Sequence, residues 1–363
     1  MKIHWMEFEN YTTGQKIERI EFDRLNLLVG ESGAGKTQIL KVLSNYINFA
    51  VSIKDMIPYS GHFGLGFSTE ENESKYSWLI STEIVGVSYR ITKEYIKKDE
   101  KFIVNRELDK LYIDDKEVPN ISFEPSAISI FSNHKLLNSV KQEFYKFIYN
   151  LNYDSNFTKL SSEKMINYRQ LHKGTDIIFM QTYGTKLPLL IKLDTVKYCQ
   201  NDLYAHFVED VQNIFPQIQD ISVEIEDETG LFNLFILQDG KKIPAEDISA
   251  GMLKTIYIVA SIDFALPGTI FCIDELENAL GVNCLDEITD YICDSAIEKN
   301  IQFILTSHHP YIISHIPQDN WRIISQKNGV ISSKRAAEVG IDDSYGKQER
   351  FFKLINYMQR QSS

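Results

Sequence analysis

The chain has 363 residues, a formal net charge of −12, and apolar and charged fractions of 43% and 24%, ordinary for a globular protein of one large or two moderate domains. That charge opposes coating by nucleic acid over the whole surface and leaves only a local basic groove for such contact. Met1–Asn10 mixes Lys2, His4, Glu7 and Glu9 among apolar residues, unlike a secretory leader, and Cys199, Cys272, Cys284 and Cys293 show no CxxC spacing, so a cytoplasmic chain with reduced cysteines is expected.

Short apolar stretches at Ile3–Phe8, Ile17–Phe22 and Leu25–Val29 read as strands, and the third runs straight into a glycine loop. Beyond the loop, Ile39, Leu40, Val42, Leu43, Tyr46 and Ile47 recur at helical spacing, so the local order is strand, loop, helix. From Tyr76 to Ile113 the pattern is hairpin-like, with strands predicted near Trp78–Ile84, Val87–Ile91, Phe102–Val104 and Leu111–Ile113. The region from Leu136 to Phe215 is richer in helical periodicity, with Phe144, Phe147, Ile148 and Leu151 forming one predicted stripe. A hairpin follows at Ile221–Ile225 and Leu231–Leu237, and from Ile248 to Ser314 helix and strand alternate. The apolar run Thr255–Ile273 is interrupted by Asp263 and split by Pro267-Gly268, so it reads as helix, turn and buried strand and not as a membrane span.

Two motifs carry the chemistry. Gly30-Glu31-Ser32-Gly33-Ala34-Gly35-Lys36-Thr37 matches the phosphate-loop pattern in full, and Gln38 follows it on the helix. Glycines let backbone N–H groups close around phosphates, and the helix that follows presents its positive end to the same charge. Lys36 is expected to reach the β- and γ-phosphates and the Thr37 hydroxyl to ligate Mg2+. The second motif is the apolar strand Ile270–Ile273 ending in Asp274-Glu275. In an open α/β sheet ligands bind at such strand ends. Asp274 is expected to hold the Mg2+ shell and Glu275 to orient the attacking water.

These residues resemble the ABC ATPase superfamily, in particular its SMC-like and RecF-like branch and the related OLD-like ATPases of bacterial defence systems, including the Septu-type ATPase subunit. Ile248-Ser249-Ala250-Gly251-Met252 resembles the signature loop of that family; Ser249 and Gly251 match it, while Ala250 and Met252 depart from it. Thr306-Ser307-His308 resembles the switch-histidine strand end, with His308 matching the γ-phosphate contact, and Glu277-Asn278-Ala279-Leu280 resembles the dimer-facing loop. For the family's glutamine loop the nearest candidates are Ser132 and Asn133. A rival metal reading of His308, His309 and His315 lacks a spaced carboxylate or Cys to complete it.

The resemblance implies an α/β fold, an ABC-type ATPase head in the P-loop NTPase class, with a mixed sheet, an antiparallel β-subdomain and a helical insertion. Together with the periodicity above, the expected division is lobe one (1–135), a helical insertion (136–220) that the resemblance does not cover, lobe two (221–335) and a C-terminal helical tail (336–363). The resemblance also implies ATP and Mg2+ as ligands, a homodimer closed around ATP with room for higher oligomers, no membrane, and a separate effector, a nuclease, in antiphage defence. The alternative is a RecF- or SMC-like DNA-binding ATPase of DNA repair, for which Lys93, Lys97, Lys98 and Lys101, with Tyr95 and Phe102 nearby, are the densest basic cluster.

Overall fold

The computed structural model describes residues 1–52, 59–69, 74–86, 88–108, 110–119, 124–151, 159–171, 188–227, 229–278, 280–281, 284–342 and 344–361. In chain order the strands are β1 (Lys2–Asn10), β2 (Lys16–Glu21), β3 (Leu25–Val29), β4 (Gly61–Ser68), β5 (Lys75–Val85), β6 (Ser88–Lys98), β7 (Lys101–Glu107), β8 (Lys110–Ile113) and β9 (Lys116–Glu117). They continue as β10 (Phe147–Tyr149), β11 (Lys159–Ser161), β12 (Ile218–Ile225), β13 (Leu231–Gln238), β14 (Lys241–Pro244), β15 (Ile270–Ile273), β16 (Gln302–Thr306), β17 (Trp321–Lys327) and β18 (Val330–Arg335). The chain forms two compact units, one of Met1–Tyr149, Gly268–Leu276 and Ala296–Ser363, the other of Asn150–Pro267 and Glu277–Ser295.

The first unit is built on a 14-stranded sheet in the order β10-β15-β16-β3-β17-β18-β2-β1-β4-β5-β6-β7-β8-β9. From β10 to β17 the neighbours are parallel, and from β2 outward through β1 they are antiparallel. Every residue of β3, β15 and β16 is buried, which is why these strands read as continuous apolar runs without alternation. Two amides interrupt those runs, and both are bonded. Asn26 donates to the carbonyls of Asp23 and Phe303 and accepts from the Asp23 N–H. Gln302 accepts from Ile3 N–H at 2.8 Å and donates to the Ile3 and Asp23 carbonyls. A buried amide left unpaired costs about 1–3 kcal/mol, so these bonds select one register for β1, β3 and β16.

Helix α1 (Lys36–Val51) buries Ile39, Leu40, Val42, Leu43, Tyr46, Ile47, Phe49 and Ala50. Tyr46 stacks on Phe63 of β4 at 4.2 Å, and Phe63 in turn meets Trp78 of β5 edge-on at 5.7 Å. Each fully buried side chain of this size contributes about 1.5–3 kcal/mol. β4 is a strand that the sequence pattern did not announce, because glycines punctuate it; Phe63, Leu65 and Phe67, all at 0% exposure, are its inward row. On the inward face of β6, Glu94 accepts from Trp78 Nε1, Ser126 Oγ and Ala127 N–H and lies 3.8 Å from the buried Arg106. Burial pushes its carboxyl up against those donors. The network fastens the segment from Ser126 to the sheet.

One expectation is corrected. Phe144, Phe147, Ile148 and Leu151 fit a helical stripe in sequence, but the helix Lys135–Tyr145 ends before Phe147, and Phe147–Tyr149 is β10, paired in parallel with β15 from Phe147↔Ile270 to Tyr149↔Cys272. The i, i+3, i+4 spacing satisfied a helix template, and a partner strand distant in sequence decided otherwise.

The second unit carries a small antiparallel sheet, β11-β13-β12 with β14 on β13, and the helices Ser162–Leu171, Leu189–Cys199, Asn201–Ile214 and Ala250–Asp263. Phe207 packs against Phe264 at 5.3 Å and Tyr204 donates to the Ile221 carbonyl at 2.7 Å. Among its described residues, Glu224 pairs with Lys242 and Glu226 with Lys159, so these hairpin acids are engaged in ion pairs.

Candidate functional site

Four neighbouring parallel strands, β15, β16, β3 and β17, end at one edge of the large sheet, where an open α/β sheet has its binding crevice. β3 delivers the glycine loop. Gly30 lies so close to β17 that a Cβ there would sit 2.4 Å from the Ile324 carbonyl oxygen, and Gly35, at φ +98°, has Ile331 of β18 directly beneath it. The loop therefore rests on β17 and β18, in a conformation that L side chains resist. Gly35 also stands at the N-cap of α1, which has no side-chain cap and no acid in its first turn. A helix end of this kind, with N–H groups lacking a cap and a positive dipole without a carboxylate beside it, suits an anion. Lys36, 5% exposed, donates to the Gly30 and Glu31 carbonyls at 2.7 and 2.9 Å and braces the loop from within.

β15 and β16 deliver the acids and their holder. Thr37 Oγ donates to Asp274 Oδ1 at 3.1 Å, Thr306 Oγ donates to the same oxygen at 2.7 Å, and the Glu275 N–H donates to Thr306 Oγ at 2.7 Å. Glu275 adopts φ +50°, uncommon for a residue with a side chain and costing on the order of 1 kcal/mol or more. Thr306 holds that conformation from both sides, because its carbonyl also accepts the Leu276 N–H. Thr37 and Asp274 together offer a hydroxyl and a carboxylate, hard oxygen donors of the kind Mg2+ takes alongside phosphate oxygens.

A cavity of about 450 Å3 joins these groups: Ser32, Gly33, Gly35, Lys36, Thr37 and Gln38 from the loop and α1, with Asp274, Glu275 and His308 from the strand ends. Of the loop residues singled out in the sequence, Gly30, Glu31 and Ala34 do not line it; Glu31 and Ala34 face a neighbouring cavity of about 270 Å3. Ser249 and Gly251 belong to the second unit, where Ser249 N-caps the helix Ala250–Asp263 by accepting the Met252 N–H at 3.3 Å. Ser132 and Asn133 are not among the cavity's lining residues, and Ala279 of the dimer-facing loop lies outside the described residues. Lys97 of the basic cluster pairs with Glu100 at 3.6 Å and lies over Phe102 at 4.7 Å.

Sequence reasoning gave no role to Thr306 and did not single out Lys41, Tyr59 or Gln326, all of which line the cavity. For Thr306 a signal existed, a hydroxyl at the last position of an apolar strand ahead of the histidine pair. Lys41 follows Thr37 by one helical turn on the same face. Tyr59 and Gln326 have no local signal, since only the sheet order brings them to the loop.

A mixed sheet, a glycine loop on β3 leading into α1, and an Asp-Glu pair on the strand end two places away define a fold of the P-loop NTPase class, arranged as an ABC-type ATPase head. The chain belongs to the family described as "AAA domain, putative AbiEii toxin, Type IV TA system", whose model matches residues 25–314. Among solved structures it is similar to an SMC head bound to the C-winged helix domain of ScpA, at 12% identity and TM-score 0.50, covering 92% of this chain and 97% of that one. It is also similar to the SMC head domain from Thermotoga maritima, at 12% identity and TM-score 0.48, covering 92% and 99%. Comparison with proteins of curated function finds no match. Among the described residues no helix is long and apolar enough to cross a membrane.

Proposed function

We propose that the chain is an ATP-hydrolysing subunit that closes into a dimer around Mg-ATP and acts as a switch on a partner effector, a nuclease, in bacterial antiphage defence. The observation that carries the ATPase reading is the meeting of Lys36, Thr37, Asp274, Glu275 and His308 in one cavity. In this reading the loop N–H groups and Lys36 hold the β- and γ-phosphates, Glu275 orients the attacking water and takes its proton, and His308 contacts the γ-phosphate. Thr37 and Asp274 would hold Mg2+, which would supply charge neutralisation at the phosphates. The products are ADP and phosphate. Ser249 and Gly251, at the start of a helix, are read as the γ-phosphate contact made from the partner subunit, which is what makes the site a dimer sensor. A ligand that contacts both subunits only in the closed state shifts the population to that state, and hydrolysis releases it. The family description, which names a toxin of a type IV TA system, supports a chain that works in a system with other components.

The test is the mass of the purified protein with and without Mg-ATP, for wild type and Glu275→Gln, alone and with the products of neighbouring genes. Glu275→Gln is expected to trap an ATP-dependent dimer and to retain a nuclease partner. A monomer under all conditions sinks the composite site, and a dimer without a partner sinks the switch role.

A further inference from the structure

The fourth strand end at the crevice belongs to β17, and its last residues have no part in the motifs above. Gln326 lines the cavity that holds Lys36, Glu275 and His308, and it also lines the neighbouring cavity against Ser32 and Gly33, so it stands beside the outer tip of the glycine loop. Its direction follows from register. Gln326 pairs directly with Ile331 across the β17–β18 hairpin, and directly opposed residues of an antiparallel pair put their side chains on the same face. The Ile331 side chain lies under Gly35, so this is the loop's face of the sheet. Lys327, the next residue, falls on the opposite face by strand alternation and lines neither cavity. The Gln326 side chain is exposed and makes no hydrogen bond with another described residue.

We infer that Gln326 is a specificity-determining residue of the nucleotide site, whose amide N–H donates to the terminal phosphate and so discriminates a nucleoside triphosphate from a diphosphate. The chemistry fits the position. Lys36 and the end of α1 already supply positive charge, and a neutral amide adds a directed donor without holding the product by charge after cleavage. Gln326, Ser32 and Gly33 line the same cavity as Glu275 and His308, the two residues that the proposed reading sets at the terminal phosphate. A carboxylate in place of this amide repels the extra charge of the triphosphate more than that of the diphosphate.

This inference rests on the proposed ATP reading, and the experiment separates the two. Dissociation constants for a non-hydrolysable ATP analogue and for ADP, both with Mg2+, are measured by calorimetry on the full chain for wild type, Gln326→Glu, Gln326→Ala and Lys327→Glu, with melting curves without nucleotide as the fold control. Gln326→Glu is expected to weaken the analogue about tenfold or more and ADP less than about threefold, given what a hydrogen bond to a charged group contributes. Gln326→Ala is expected to show a smaller loss of the same pattern, and Lys327→Glu, the same residue type introduced one position away, to keep the wild-type ratio. Equal losses for both nucleotides, or an unchanged ratio in Gln326→Glu, overturn the inference while leaving wild-type ATP binding intact. Wild type that binds neither nucleotide overturns the ATP reading itself and this inference with it.

Discussion

Thr306 orients both acids of the site with one hydroxyl, donating to Asp274 at 2.7 Å and accepting the Glu275 N–H at 2.7 Å. Val has the same branched shape without the hydroxyl, so at this 1%-exposed position Thr306→Val removes both bonds and leaves the Glu275 N–H without that partner. Thr306→Val is therefore expected to stay folded and to lose ATPase turnover by about tenfold, the scale of one hydrogen bond to a charged group. A melting curve with a turnover assay checks this: full activity in a folded variant shows that Asp274 and Glu275 are held by other means. Lys36, Thr37, Asp274 and Glu275 were named from contiguous strings whose backbone chemistry is local, and His308 from the family resemblance; all five line one cavity. Thr306 was given no role and Gln326 was not singled out, because what makes them important is a neighbour across the sheet.

Elements were legible where their periodicity was local and failed where pairing partners were distant. β3 and α1 followed from a buried run and an apolar stripe, whereas β10 read as helix until β15 was seen to pair with it. The same distance effect governs Asp23, which follows β2 and receives Arg322 of β17 at 2.6 Å and Arg335 of β18 at 2.9 Å. Burial works against its charge, and the two guanidiniums outweigh that, holding its carboxyl below the ordinary value of 3.8. The stability this contributes is complete above that value and is lost as pH falls through the lower folded-state value. Asp23→Asn is thus expected to melt below wild type at pH 7, with the gap closing below about pH 4. A gap that persists undiminished in acid shows that packing, not charge, joins β2 to β17 and β18.

For the whole molecule, the proposed reading ties stability to ligand. A nucleotide that binds only the folded chain raises stability by about 2.7 kcal/mol at one hundred times its dissociation constant, so ATP is expected to raise the melting temperature when Mg2+ is present. Chelating Mg2+ should abolish most of that rise, since Thr37 and Asp274 would then meet the phosphates without a cation between them. An undiminished rise in the presence of a chelator removes Mg2+ from the site. The sequence by itself determined the fold class of this protein, because a phosphate loop is written as one contiguous string that carries spaced glycines, a lysine and a helix start, and because buried parallel strands write themselves as apolar runs. Only the tertiary structure decided which strand ends share the crevice. The order β15-β16-β3-β17 brings together residues from opposite ends of the chain, and no local propensity encodes which strands become neighbours.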